Sequence, residues 1–311
     1  MSKATKIALI VAAVLIVLGG VVGVAGVFIS GGALDISFDE RERREARFSG
    51  EIMRIEAELH SDTLELAVIS GDEYVVKYYD NEKQYFTVEQ DGDTLRVVRN
   101  DVRRKWYESI GISFGRNGPD VYIGVPAAFY GEVELSANSG GISVKGLTLE
   151  RSLTASVSSG GVSIENVYCS RLTASADSGG INVDEVIVVE DAVLSAKSGA
   201  VHADSLRCGG DLTAEAKSGA IRLEECSAEN LSLTAKSGAI NFEDCSYEKS
   251  AVLQSNSGSI RGELPGPMEA YSIRSSTGSG SSNLPEERHG GEKSLIAETG
   301  SGSIRIDFDR D

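Results

Sequence analysis

From residue 133 onward one small unit recurs, built on a Ser-Gly or Thr-Gly pair. The pairs are Ser139-Gly140, Ser159-Gly160, Ser178-Gly179, Ser198-Gly199, Ser218-Gly219, Ser237-Gly238 and Ser257-Gly258, followed by Thr277 and Thr299 with their glycines. Successive intervals are 20, 19, 20, 20, 19, 20, 20 and 22 residues. Such a period marks a solenoid, propeller or array, whose units bury their apolar sides only by stacking. It also settles "ADSGG" (176–180), which looks like the nucleophile loop of a trypsin-like protease. Ser178 is one of nine equivalent positions, and a catalytic serine has no reason to be copied nine times. The three histidines, His60, His202 and His289, supply no Ser–His–acid pattern.

Each repeat is counted from its Ser as zero. Positions −6, −4 and −2 are apolar or small, as in Leu172, Ala174, Ala176 and Leu212, Ala214, Ala216. Positions +3 and +5 are apolar, as in Ile181, Val183 and Ile240, Phe242, and +8 runs Leu147, Val167, Val186, Leu206, Cys226, Cys245. Polar residues fill the gaps. This is the alternation of two five-residue strands and a shorter third one, each with one face inward. Two topologies fit: a meander of antiparallel hairpins turning at Ser-Gly, and a parallel β-solenoid with Ser-Gly at a corner. The solenoid explains why like residues recur in every column. The fold class expected is therefore all-β, a parallel β-solenoid of about nine coils over residues 133–311. Gly at +1 is expected to supply positive φ at the corner, and the Ser hydroxyl to bond nearby turn backbone.

Residues 51–132 alternate with period 2 and read as an N-terminal β-rich cap or irregular coils. Within them, 101–119 breaks the pattern and holds Trp106 and Tyr107, which either meet a partner or cover the end of the core. The C-terminal end degenerates through "GELPGPMEAY" and "GSGSSNLPEERHGGEK" before closing on "SIRIDFDRD". Ahead of the cap, 30–50 mixes both charge signs and reads as a juxtamembrane stalk. Residues 7–29 carry no charge and suffice, at about 1.5 Å per residue, to span a bilayer as one transmembrane helix. A secretory signal is the alternative. Lys3 and Lys6 place residues 1–6 in the cytoplasm and the bulk of the chain outside. Gly19 and Gly23 form a G-x-x-x-G pair.

The run "VYIGVPAAF" (121–129), the series "SANSGGISV", "SVSSGGVSI", "SADSGGINV", "SAKSGAVHA", "EAKSGAIRL", "TAKSGAINF" and the closing "TGSGSIRI" resemble a bacterial family of extracytoplasmic β-strand-repeat proteins, known as adhesin-like or as a domain of unknown function. The resemblance covers roughly 50–311. It implies a β-solenoid at the cell surface and brings no catalytic residues.

Candidate chemistry lies in the columns. The +6 position carries Glu165, Asp184, Asp204, Glu224, Glu243 and Glu263, and +7 adds Glu185, Glu225 and Asp244. Stacked about 4.8 Å apart, Asp184, Asp204, Glu224 and Glu243 are the candidates for Ca²⁺. The competing reading is a solvated acidic face, favoured because no Asp-x-Asp-x-Asp-Gly loop or calcium-roll repeat is present. Lys197, Lys217 and Lys236 form a basic stripe at −1 that either meets an anionic wall polymer or is merely solvated. Cys226 and Cys245 share the inward +8 slot and are a possible disulfide in an outside compartment. Cys169 and Cys208 share +10 but lie two coils apart. No Cys-x-x-Cys suggests zinc, and aromatics for sugar stacking are sparse. A net charge of −17 argues against nucleic acid. The expectation is a non-enzymatic, cofactor-free surface module: adhesion, binding of a surface protein or cell-wall polymer, or envelope-stress signalling. The alternatives are a self-assembling, bactofilin-like polymer and a polysaccharide-active β-helix enzyme.

Overall fold

The computed structural model describes residues 41–81, 84–101 and 118–308. The expected cytoplasmic tail, the span 7–29, the stalk up to residue 40, and Trp106 and Tyr107 lie outside the described residues. Among the described residues no helix is long and apolar enough to cross a membrane. Among the described residues from Glu42 onward, strand is the dominant element, with one 3₁₀ turn at Met268–Ala270.

The coil around Ser178 shows how sequence becomes structure. Strand Arg171–Ala176 buries Leu172, Ala174 and Ala176, and turns through Asp177–Gly180. Strand Ile181–Asp184 then buries Ile181 and Val183. A second corner at Glu185 leads to the short strand Ile187–Val188. One coil cannot stand alone. Each fully buried Leu or Ile contributes about 1.5–3 kcal/mol, while fixing each backbone residue costs about 1–2 kcal/mol. Stacking supplies the difference. Leu153 lies over Leu172, Ala155 over Ala174 and Val157 over Ala176, all in parallel register. That register rules out the hairpin meander.

One sheet holds eleven parallel strands in the spatial order Thr94–Asp101, Arg54–Leu59, Glu132–Ala137, Ser152–Val157, Arg171–Ala176, Ala192–Ala196, Asp211–Ala216, Ser227–Ala235, Ser246–Ser255, Lys293–Thr299, Tyr271–Thr277. The facing sheet follows the same order from Val121–Pro126 and Leu64–Ile69 to Ile304–Phe308. The short third strands Tyr168–Cys169, Ile187–Val188 and Arg207–Cys208 form a third side, which merges into Ser227–Ala235. The expected cap thus contributes two coils of the same stack.

Both ends depart from sequential stacking. The coil holding Arg54–Leu59 lies between those holding Thr94–Asp101 and Glu132–Ala137. At the other end Lys293–Thr299 sits between Ser246–Ser255 and Tyr271–Thr277. Each end is therefore a clasp, with its outermost coil reached by a loop past the next one in. Periodicity reports which residues share a column, not the order in which coils stack, so the sequence concealed this. Antiparallel strands finish the ends: Gln84–Asp91 on Thr94–Asp101, Tyr74–Asp80 on Val121–Pro126, and Glu287–Arg288 on Tyr271–Thr277.

Three further expectations need correction. The second half of the expected stalk is a strand, Glu42–Phe48, antiparallel to Tyr74–Asp80. An edge strand needs backbone pairing rather than apolar alternation, and Arg44–Asp80 and Arg47–Glu73 ion pairs fix this one. Thr277 and Thr299 are not corner residues. They align with Ser255 at −2, so Ser279 and Ser301 take position zero. Finally, the +1 glycines lack positive φ. The left-handed residues sit at +7: Gly146, Asn166, Glu185, Ser205, Glu225 and Asp244, with φ between 50° and 70°. The corner acids that seemed to extend an acidic column are turning the chain.

The +1 glycines are needed for close approach. A Cβ at Gly160, Gly179, Gly199, Gly219 or Gly238 would overlap the carbonyl of the glycine one coil before. The hydroxyl that bonds this corner comes from −2 rather than from zero. Ser255 Oγ donates to Gly238 O at 3.2 Å and accepts from Gly258 N at 2.8 Å. Thr299 Oγ1 does the same with Gly258 O at 2.8 Å and Gly302 N at 3.1 Å. Earlier coils have Ala or Val at −2. Ala235→Ser should therefore gain a hydroxyl bridge to the same corner groups and stabilise the stack by about 1 kcal/mol. Urea denaturation checks this, and a loss of stability would mean that the hydroxyl is not accommodated there.

Candidate functional site

The outward columns give the stack distinct sides. Along the Ser-Gly edge, from Asn138 to Ser303, positions −1 to +2 hold Ser, Gly, Ala, Asn, three lysines and one acid. The acid, Asp177, meets Lys197 at 2.7 Å. Ser218 N donates to Lys197 O and Ser237 N to Lys217 O, so Lys197, Lys217 and Lys236 are vertical neighbours. Lys217 and Lys236 are exposed and make no ion pair among the described residues.

The corner at +6 and +7 has the opposite character. Lys145 heads the +6 column and meets Glu165 at 3.4 Å. Below it Glu165, Asp184, Asp204, Glu224 and Glu243 follow in register. Arg222 hydrogen-bonds Glu224, and Ser205 Oγ donates to Asp204 at 3.2 Å. Among the described residues no three His, Cys, Asp or Glu side chains are grouped closely enough to hold a metal ion. The four calcium candidates, Asp184, Asp204, Glu224 and Glu243, form a row along one corner rather than a cage.

All four cysteines are buried and free. Cys226 and Cys245 occupy neighbouring coils, joined by Ser246 N donating to Cys226 O at 2.9 Å; the Cys226 thiol donates to Glu224 O at 3.1 Å and the Cys245 thiol to Glu243 O at 3.2 Å. The neighbouring Cys245 thiol, with burial, pushes the Cys226 thiol well above its ordinary range. Burial raises Cys169 to about 12. Val188 lies between Cys169 and Cys208.

Two features escaped the column reading. On the third side Tyr168 and Ile187 are register partners, and with Val189 and Val193 they are 40–48% exposed. The signal was present, since Tyr and Ile occupy a position held by Thr, Arg and Ser in other coils. At the N-terminal clasp, Ser61-Asp62 replaces Ser-Gly. Asp62 is buried and meets Arg99 Nη1 at 2.8 Å. Arg99 also donates to Asp101 at 3.1 Å and lies over the Phe86 ring at 4.9 Å, and His60 meets Asp101 at 2.9 Å. A polar recess of about 340 Å³ opens beside the other clasp, lined by Gln254, Asn256, Ser276 and Glu298 among others.

A stack of parallel coils with clasped ends is a β-solenoid architecture. The chain belongs to the Toastrack DUF4097 family, whose model matches residues 52–311. It is similar to a "putative adhesin" from Bacteroides fragilis NCTC 9343, at 13% identity over 85% of this chain and 97% of that one, TM-score 0.45. It is also similar to a "putative lipid binding protein" from Parabacteroides distasonis ATCC 8503, at 13% identity over 88% and 98%, TM-score 0.40. A "putative cell adhesion protein" from Clostridium sporogenes ATCC 15579 matches at 13% identity over 86% and 100%, TM-score 0.26. Likeness at this level carries no argument about function. No curated protein matches the chain.

Proposed function

We propose that this protein is a non-enzymatic binding module of the cell surface, held to the membrane through residues 7–29 with its β-stack outside. The supporting observation is the in-register stacking of successive coils along both long sheets. Stacked repeats present extended surfaces on a rigid frame, which suits a polymer or another surface protein better than a small substrate. Protease shaving of intact cells tests the placement. The stack should be cut or released from outside, and protection of 50–311 until the membrane is broken would overturn it.

The bactofilin-like polymer is disfavoured by the ends. Edge strands invite pairing unless they are covered or charged. Glu42–Phe48 carries Arg43, Arg44, Glu45 and Arg47 on an exposed edge. At the other end the Asn283 side chain accepts from Ile306 N at 2.9 Å and donates to Ile306 O at 2.9 Å, occupying backbone groups that a docking strand would need. Concentration-dependent filaments in the electron microscope would favour the polymer, and turnover of a wall polysaccharide would favour the enzyme.

An outside location also bears on the cysteines. Parallel neighbours about 4.8 Å apart lie within the Cα range of a disulfide. In protein made in an oxidising compartment, peptide mapping without reductant should recover Cys226 linked to Cys245, with Cys169 and Cys208 as thiols. Four free thiols in that sample would count against both the link and the external placement.

A further inference from the structure

Lys217 and Lys236 are stacked like charges that make no ion pair among the described residues, with Glu215 exposed two residues before Lys217 on the same outward face. Like charges directly opposite one another are unfavourable, and the repeat does not require them, because Ser158 and Asn256 fill the same position elsewhere. Between 138 and 303 the edge bears one acid, already taken by Lys197, although acids outnumber bases 47 to 30 in the chain. The acidic +6 corner is four strand residues away, about 13 Å. That exceeds the Debye length of about 8 Å at physiological salt, so the +6 acids repel a ligand on the Ser-Gly edge only weakly, and Glu215 is the acid two residues from Lys217 that a ligand there would meet. The exposed hydroxyls of Ser198, Ser218 and Ser237 alternate with the lysines and add a donor at each coil.

We propose that the Ser-Gly edge binds an extended phosphodiester polymer lying along the stack, with Lys217 and Lys236 closing on one phosphate and Lys197 beside them. Lysine without arginine favours phosphate, met by point charges, over carboxylate, which arginine forks grip in pairs. The proposal rests on the external placement above but is tested separately from it.

The probe is fluorescent poly(glycerol phosphate), titrated against the full chain. Binding is expected to be salt-sensitive and to weaken about tenfold or more in Lys217→Ser/Lys236→Ser, since each lost phosphate contact also removes counterion release. Serine occurs natively at this position, so the fold should hold, and a matching thermal midpoint verifies that. Lys145→Ser/Lys249→Ser removes equal charge from other sides, where each lysine faces a glutamate, and should leave affinity within about twofold. No binding by the native chain, equal weakening in both doubles, or equal affinity for polygalacturonate would each overturn the proposal. Shaving reports only where the stack lies, so failure here with external cleavage intact would discard the ligand and keep the placement.

Discussion

Gly219→Ala is expected to break the middle of the stack. A methyl at that position would overlap the Gly199 carbonyl, and the groups on both sides are backbone. No rotamer change relieves the clash. The coils must separate or shift, and each is held by its neighbours through ladders on two sheets. Overpacking of a well-packed interior costs about 1–3 kcal/mol, and more where nothing can move. We expect a loss of about 3 kcal/mol or more in denaturant melts. Gly180→Ala, one position later in its own coil, provides the contrast. Its Cβ would sit 3.3 Å from Ala200 O, and the coils below already carry Ala200, Ala220 and Ala239 at this position. That substitution should be neutral or stabilise by a few tenths of a kcal/mol through the unfolded chain. Equal effects of the two changes would refute the close-approach account of the repeat.

The second large effect belongs to the N-terminal clasp. Arg99 and Asp62 are each 3% exposed and meet at 2.8 Å. Breaking a buried pair from one side leaves a charge without compensation, at a cost of about 3–5 kcal/mol. Arg99→Met should show that loss. Adding Asp62→Gly, which restores the residue found at this position in later coils, should recover much of it, because the stranded carboxylate is gone. A single variant within about 1 kcal/mol of the native chain would sink the idea. The network also has a pH signature. Burial alone would raise the Asp101 carboxyl, but hydrogen bonds with His60 and Arg99 outweigh it and hold the group below its ordinary value. Its contribution is complete above about pH 4 and is lost as pH falls through the lower folded value.

The repeat made the column chemistry legible and left the corner chemistry obscure. Leu172, Ala174, Ala176, Ile181 and Val183 announce their burial through alternation alone. Gly at +1 suggests unusual backbone angles just as readily as crowding, and only the neighbouring coil distinguishes the two. Glu185 and Glu225 carry no sign in their chemistry that they adopt φ near 50°. The Thr-Gly pairs at 277 and 299 imitate the Ser-Gly corner but stand two residues early, because Ser-Gly follows each of them again. Asp62 was invisible because its partner, Arg99, is 37 residues away in a coil that stacks out of order.

That displaced order also bears on synthesis. Strand Tyr271–Thr277 is made before Lys293–Thr299 yet ends up outside it. A nascent chain cannot simply add coils as they emerge. Its penultimate coil must wait undocked, or dock and be displaced, until Lys293–Phe308 arrives to take the inner place. A product interrupted before Lys293 would present the open ladder of Ser246–Ser255 and a loose coil beside it. The inner place of Lys293–Thr299 thus acts as a late lock on the stack, and a copy lacking Lys293–Phe308 should be cut by proteases more readily than one that carries it.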